Sequence, residues 1–160
     1  MSWFRDTGYA QLIEEIAKTE GFKPIAVIFN LGVNDLGNAG NYVSYMTSIA
    51  STLKSKNCKL FYMSVNPINS TMITKSGRGA RTEAQVREFN SKIRSGLSLD
   101  YKYIDMYSVL MKKGYGTNAS YNGTDADSDD GLHYTTKTFK RIYYYCITYL
   151  NTGSINASYY

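Results

Sequence analysis

The first third of the chain changes from a helical spacing of apolar residues to an almost continuous apolar run. Residues 3–20 repeat apolar side chains at intervals of three and four, which predicts an amphipathic helix ending near Gly21. This stripe consists of Tyr9, Leu12, Ile13, Ile16 and Ala17. After Pro24, residues 25–31 form an apolar run with Asn30 as its one polar residue. Such a run predicts a strand that is buried on both faces, as in a parallel sheet.

The rest of the chain continues this alternation of helices and strands. Further strands are predicted over 59–65 and 101–105. Three more helices are indicated by the stripes Tyr42, Met46, Ile49 and Leu53; Val86, Phe89, Ile93 and Leu97; and Phe139, Ile142, Cys146 and Leu150. Strands alternating with helices predict right-handed crossovers and a three-layer α/β/α sandwich with a mainly parallel sheet.

The pattern contains no internal repeat and no linker, so we predict a single domain over 1–150 and a C-terminal tail over 151–160. In a parallel sheet, functional residues collect in the loops that leave the C-terminal ends of the strands. Three loops meet this condition: 32–40, 66–82 and 106–133.

Composition narrows the classes of function. The 18 basic and 13 acidic side chains give a net charge of +5, but they are scattered, so we expect no nucleic-acid partner. No apolar run approaches the ~18 residues that span a bilayer, so no membrane span is expected. The two cysteines, Cys58 and Cys146, are too few for a disulfide scaffold or a four-thiolate zinc site. Sixteen tyrosines among many polar residues favour an extracellular or cell-surface protein that meets carbohydrate.

The loop after the first predicted strand begins Gly32-Val33-Asn34-Asp35. A glycine at this point lets the backbone turn sharply. The Asn34 amide would then stand at the end of the strand, where it could donate a hydrogen bond to a developing oxyanion. An ordinary turn is the alternative interpretation, because glycine, asparagine and aspartate are common turn residues.

The one histidine of the chain, His133, follows a polar loop, and Asp130 precedes it by three residues. That spacing can bring a carboxylate beside the imidazole, which would fix Nδ1–H and leave Nε2 as a general base. Asp129 is the alternative orienting carboxylate. With a single histidine and distant cysteines, no metal site is expected.

These two motifs together resemble the SGNH (GDSL-type) hydrolase family. Gly32-Val33-Asn34-Asp35 is similar to that family's Gly-x-Asn-Asp block, and Asp130-Gly131-Leu132-His133 is similar to its Asp-x-x-His block. The resemblance implies an SGNH-hydrolase, flavodoxin-like fold and hydrolysis of acyl or acetyl esters, in many members on carbohydrate. It further implies that His133 is the base, Asp130 its orienter and Asn34, placed by Gly32, an oxyanion-hole donor. No metal or organic cofactor is implied.

The family's Gly-Asp-Ser block, which supplies the nucleophile, does not occur in this sequence. We therefore expect a hydrolase that lacks its first strands, with the nucleophile outside this chain and with the strand at 25–31 exposed as a sheet edge. A missing N-terminal segment or a separate partner polypeptide would cover that edge. The alternative is a non-catalytic glycan-binding module on a hydrolase-like fold.

Two further loop features bear on substrate binding and metal binding. Asn66 directly follows the second predicted strand, in a Ser-Val-Asn-Pro stretch that is similar to bacterial members of the family, and Arg78 belongs to a basic cluster on the same loop. Both are candidate substrate-binding residues, although a solvated loop is the simpler interpretation of the basic cluster. The acidic stretch 125–131 does not have the residue spacing of an EF-hand.

Overall fold

The computed structural model of the protein describes residues 1–19, 21–22, 24–77, 79–115 and 131–155. Its strands are β1 (Ile25–Phe29), β2 (Cys58–Met63) and β3 (Tyr101–Ile104). A π-helical segment, Phe4–Gly8, runs directly into the first α-helix. The α-helices are α1 (Tyr9–Lys18), α2 (Ala39–Ser55), α3 (Ser70–Lys75), α4 (Glu83–Gly96), α5 (Met106–Lys112) and α6 (Thr136–Thr152).

The three strands form a parallel sheet in the order β1-β2-β3. β1 pairs with β2 from Ile25 opposite Cys58 to Phe29 opposite Tyr62. The predicted α/β sandwich architecture with a parallel sheet is therefore confirmed. Among the described residues, β1 lies at one end of the strand order.

Chain contacts divide the protein into two compact units. The first unit, residues 1–63 and 89–103, contains β1, β2, nearly all of β3 and helices α1 and α2. Helix α2 packs on β2. The core of this unit includes the buried side chains of Ile16, Val27, Phe29, Met46, Leu53, Leu60, Tyr62, Phe89 and Ile93.

The second unit, residues 64–88 and 104–160, contains α3, α5, α6 and the start of α4. Three of these helices begin with a side-chain cap, in which Asn69, Asp105 and Thr135 accept hydrogen bonds from backbone N–H groups of the first turns. The core of this unit includes Ile68, Ile73, Val86, Met106, Leu110, Ile142 and Tyr145.

The prediction for the strand at 25–31 is wrong in extent and in burial. β1 ends at Phe29, and only Val27 and Phe29 are buried, whereas Ala26 is exposed. Burial therefore alternates along β1, as in a strand with one covered face.

The helix predictions need three corrections. Helices α3 and α5 lie in segments predicted as loops, and α6 extends two residues into the predicted tail before Gly153 ends it in a left-handed conformation. Ala17 and Phe139 are exposed, although both belong to predicted core stripes. In α6 the buried face instead includes Tyr145 beside Ile142 and Cys146. Within the described part of the chain, no helix has the length and apolar character of a membrane span.

Candidate functional site

The turn that follows β1 is shaped by a glycine that no other residue could replace without strain. Gly32 is buried and has φ +121°, a conformation that side chains with a Cβ rarely adopt. A Cβ built on Gly32 would lie 2.3 Å from Cζ of Phe89, far inside van der Waals contact. The predicted sharp turn at Gly32 is thus confirmed, and the Phe89 ring fills the space that a side chain would need.

Both ends of this turn are hydrogen-bonded. Tyr62 of β2 is fully buried, and its hydroxyl donates to the carbonyl of Leu31 over 2.8 Å. Burial raises the pKa of Tyr62, so its hydroxyl remains a neutral donor. The N–H of Asp35 donates to the carbonyl of Gly32, also over 2.8 Å. The side chain of Asn34 is exposed on the segment that these bonds close.

Asp35, the residue after Asn34, has a carboxylate with two donors. The Tyr42 hydroxyl donates to its Oδ2 over 2.7 Å, and the Met1 amino group donates to the same oxygen. These hydrogen bonds, chiefly the one from the Met1 ammonium, lower the pKa of Asp35. The Tyr42 ring packs edge-on against Phe89, with ring centroids 5.3 Å apart. Tyr42 therefore contacts both the Asp35 carboxylate and the Phe89 ring that packs against Gly32.

In the second unit, the loop after β2 carries Asn66, which is partly exposed. Its Oδ1 atom is buried and accepts no hydrogen bond from the described residues. Buried acceptors normally have a donor, so this oxygen stands out as a group able to accept one more hydrogen bond.

A glutamate at the start of α4 fixes the same loop. Oε1 of Glu83 accepts the N–H of Ile68 over 2.5 Å, and Oε2 accepts the Tyr107 hydroxyl over 2.5 Å. Burial raises the pKa of Glu83, while the hydrogen bonds from Tyr107 and Ile68 and the charge of Arg87 act in the opposite direction. Burial, together with the hydrogen bond to Glu83, raises the pKa of Tyr107 to about 12.

His133 is exposed, and the residues on either side of it are bound to the Asn66 loop. The carbonyl of Gly131 accepts the N–H of Asn69 over 2.8 Å, and the Tyr134 hydroxyl donates to the carbonyl of Pro67. Gly131 has φ +72°, and a Cβ there would lie 2.6 Å from the carbonyl oxygen of Asn69. The structure thus places His133 and Asn66 on two joined segments of one unit.

Ser64 does not have the surroundings of a nucleophile. It is fully buried, and its hydroxyl accepts the N–H of Tyr107 over 2.7 Å. The hydroxyl of a nucleophilic serine would instead be exposed and hydrogen-bonded to a general base that takes its proton. Among the described residues there is also no group of three or more His, Cys, Asp or Glu side chains able to hold a metal ion.

The predicted site residues are distributed over both units. Gly32 and Asn34 belong to the first unit, and Asn66 and His133 belong to the second. The predicted orienter Asp130 and the predicted substrate residue Arg78 lie outside the described residues.

Sequence reasoning missed the residues that hold these loops, namely Tyr62, Glu83, Phe89, Tyr107 and Tyr134. One local signal existed for Glu83, because Thr82 and Gln85 form a capping box that marks the start of α4. The other four act through contacts distant in the sequence, which no local pattern reveals.

Comparison with known proteins gives one family. The sequence model of the GDSL-like lipase/acylhydrolase family matches residues 5–145, most of the chain. The searches of curated proteins and of solved structures gave no significant match.

Proposed function

The chain belongs to the GDSL-like lipase/acylhydrolase family, and on that premise we propose that it carries the base and an oxyanion-hole donor of a serine ester hydrolase. Membership of the family supports an esterase or acylhydrolase in general. The proposed substrates are acyl or acetyl esters, including esters of carbohydrates. The nucleophilic serine is proposed to come from outside these 160 residues, because the sequence has no Gly-Asp-Ser block.

In the proposed reaction the serine hydroxyl oxygen attacks the ester carbonyl carbon while His133 Nε2 takes the hydroxyl proton. Asp130 holds the imidazole in the tautomer that this step requires. The carbonyl oxygen becomes an oxyanion and accepts a hydrogen bond from the Asn34 amide. His133 then returns the proton to the leaving alcohol. A water molecule, activated by His133, hydrolyses the acyl-enzyme and releases the acid.

The observation that carries this proposal is the conformation of Gly32. A positive φ, a ring of Phe89 against Cα and a hydrogen bond at each end give the turn one conformation. A donor stabilises a transition state best when it is held in place before the reaction. The fixed turn beside Asn34 supports that role.

The position of β1 supports a place for the serine segment. Among the described residues β1 pairs with β2 alone and ends the strand order. The segment or partner polypeptide with the serine is proposed to pair with β1.

The test begins with translation of the DNA upstream of the Met1 codon in frame. If it encodes Gly-Asp-Ser after an apolar strand, the extended protein is assayed with an aryl acetate. We expect His133→Ala to abolish hydrolysis and Asn34→Ala to lower kcat about 100–1000-fold. Asn151→Ala, a change at an exposed asparagine of α6, serves as the matched control and should leave the rate unchanged. Equal hydrolysis by the His133→Ala variant would contradict the proposal.

One alternative function is favoured by a specific observation. The missing Gly-Asp-Ser block also fits a glycan-binding module that keeps the hydrolase fold without catalysis. An upstream stop codon, together with glycan binding by the 160-residue chain, would favour this module. Failure to bind any member of a glycan panel would count against it.

A further inference from the structure

The first unit contains a polar cleft of about 630 Å³ next to the turn that carries Asn34. This volume lies within the range of small-molecule binding sites. Its walls include Asp35, Tyr45 and a polar face formed by Asn38, which directly precedes α2, and by Asn41, Ser44 and Ser48 of α2. From Asn38 to Ser48 the rise is about 15 Å, which is long enough for more than one sugar ring.

Most of the polar groups on this face of α2 are available to a ligand. The side chains of Asn38, Asn41 and Ser44 are exposed and make no hydrogen bond to other described residues. Each amide offers two donor hydrogens and an acceptor oxygen, and the hydroxyl offers both functions. Such a row suits a ligand whose own groups both donate and accept, as sugar hydroxyls do.

In the 160-residue chain, the charged groups of the cleft are already paired. Oδ2 of Asp35 accepts the bonds from Met1 and Tyr42, and the Arg5 guanidinium is bound to Asp6 with an Nε–Oδ1 distance of 2.7 Å. A strongly charged ligand would therefore find no unpaired opposite charge here. Oδ1 of Asp35 has no partner among the described residues, and it can accept a hydrogen bond from a hydroxyl of a neutral ligand.

Tyr45 supplies a fixed aromatic wall. Its ring is partly buried and packs edge-on against Phe4 and Tyr9, with centroid distances of 6.0 and 6.3 Å. A ring that is already held loses little freedom when a ligand stacks on it. The electron-rich face of an aromatic ring attracts the C–H face of a sugar.

We propose that this cleft binds a neutral carbohydrate through Asp35, Asn38, Asn41, Ser44 and Tyr45. Its place in catalysis rests on the proposed function: because Asp35 directly follows Asn34, the cleft would hold the sugar part of an ester whose carbonyl lies at Asn34. Binding of the sugar itself does not require the missing serine, so the 160-residue chain is sufficient for the test.

The experiment titrates the ¹⁵N-labelled chain with neutral oligosaccharides, namely xylotetraose, cellotetraose and chitotetraose, at millimolar concentrations. At least one of them should shift the side-chain amide signals of Asn38 and Asn41 in a saturable way. The double variant Asn41→Ala/Ser44→Ala should bind it about 10-fold more weakly or worse, which corresponds to about 1.4 kcal/mol. The control is Thr47→Ala, because Thr47 is exposed on α2 outside the cleft and, among the described residues, its side chain bonds to its own helix at Val43.

Absence of any shift, shifts confined to other surfaces, or equal binding by the double variant would each overturn the carbohydrate site. These results are independent of the esterase test. Hydrolysis of the aryl acetate without sugar binding would leave the proposed function standing and remove this inference. Sugar binding at Asn38 and Asn41 without hydrolysis by the extended protein would do the reverse.

Discussion

Two of the loops that carry predicted site residues are held by different forces. The turn at Gly32–Asp35 is fixed by the Phe89 ring packed against the glycine, together with a hydrogen bond from the buried Tyr62 hydroxyl to the Leu31 carbonyl. The loop at 66–69 is fixed by polar bonds, with Glu83 holding the Ile68 amide and Tyr134 holding the Pro67 carbonyl. Packing responds to volume, whereas polar bonds to a carboxylate respond to protonation.

This difference corresponds to what each loop is proposed to do. An oxyanion-hole donor such as Asn34 acts by being rigidly placed, and the contact between Gly32 and Phe89 gives that rigidity through shape rather than charge, although the turn ends at the titratable Asp35. The loop bound to the His133 segment instead depends on one ionisable side chain, Glu83. We therefore expect the turn at Gly32–Asp35 to respond mainly to changes in side-chain volume, and the loop at 66–69 to respond mainly to loss of the Glu83 carboxylate.

The largest expected effect comes from filling the space at Gly32. Gly32→Ala places a Cβ 2.3 Å from the Phe89 ring and imposes φ +121° on alanine. We expect the free energy of unfolding to fall by about 2–5 kcal/mol, the sum of overpacking and backbone strain. Urea unfolding of the purified chain measures this change.

Two further variants distinguish the effect of overpacking from the effect of backbone strain. Gly37→Ala, at a glycine where an added Cβ would meet no atom within 4 Å and where φ is not positive, should change stability little. In a Phe89→Leu background, Gly32→Ala should lose the clash and retain only the backbone strain, about 1–2 kcal/mol. An unchanged penalty in that background would show that Phe89 does not shape the turn.

A smaller effect should follow from removing the carboxylate in the second unit. Glu83→Ala leaves the buried N–H of Ile68 and the Tyr107 hydroxyl without their acceptor. We expect a loss of about 1–3 kcal/mol in the free energy of unfolding. Hydrogen exchange of the Asn69 amide, which is bonded to Gly131, should also become faster as the loop loosens.

The control for Glu83 is Glu14→Ala, a change at an exposed glutamate of α1. It should alter stability by less than about 0.5 kcal/mol. Equal effects of the two substitutions, or an Asn69 amide that exchanges no faster in Glu83→Ala, would mean that the Glu83 bonds do not hold the loop.

The sequence predicted the turn at Gly32 because a glycine after an apolar run is a local signal. The partner of that glycine, Phe89, lies 57 positions later, and nothing in the local pattern pairs the two residues. The same limit applies to Glu83, whose partners Ile68 and Tyr107 belong to two other segments.

The missed and misplaced elements have simpler causes. Helices α3 and α5 have 6 and 7 residues, too short to repeat an apolar spacing over a window that identifies a helix. In α6 apolar and aromatic residues occur on several faces, so the stripe through Phe139 could not be distinguished from the buried face with Tyr145. The roles of Asn34, Asn66 and His133 stay predictions, as does the role of Asp130.

The smallest expected effect is a difference in pH dependence between the two carboxylates. Burial raises the pKa of Glu83 above the ordinary value of 4.5, so between these two values the folded protein binds more protons than the unfolded chain. The contribution of Glu83 to stability is therefore fully present below pH 4.5 and is lost as the pH rises through the raised value.

Asp35 has a lowered pKa, so its contribution to stability is present above pH 3.8 and is lost as the pH falls through the lowered value. Urea unfolding measured between about pH 3 and pH 7 should show that Glu83→Gln reduces the decline toward neutral pH, whereas Asp35→Asn reduces the decline toward acid, to which Asp6 and Asp100 also contribute. If Glu83→Gln left the slope above pH 4.5 unchanged, the stability of the loop at 66–69 would not depend on the protonation of Glu83.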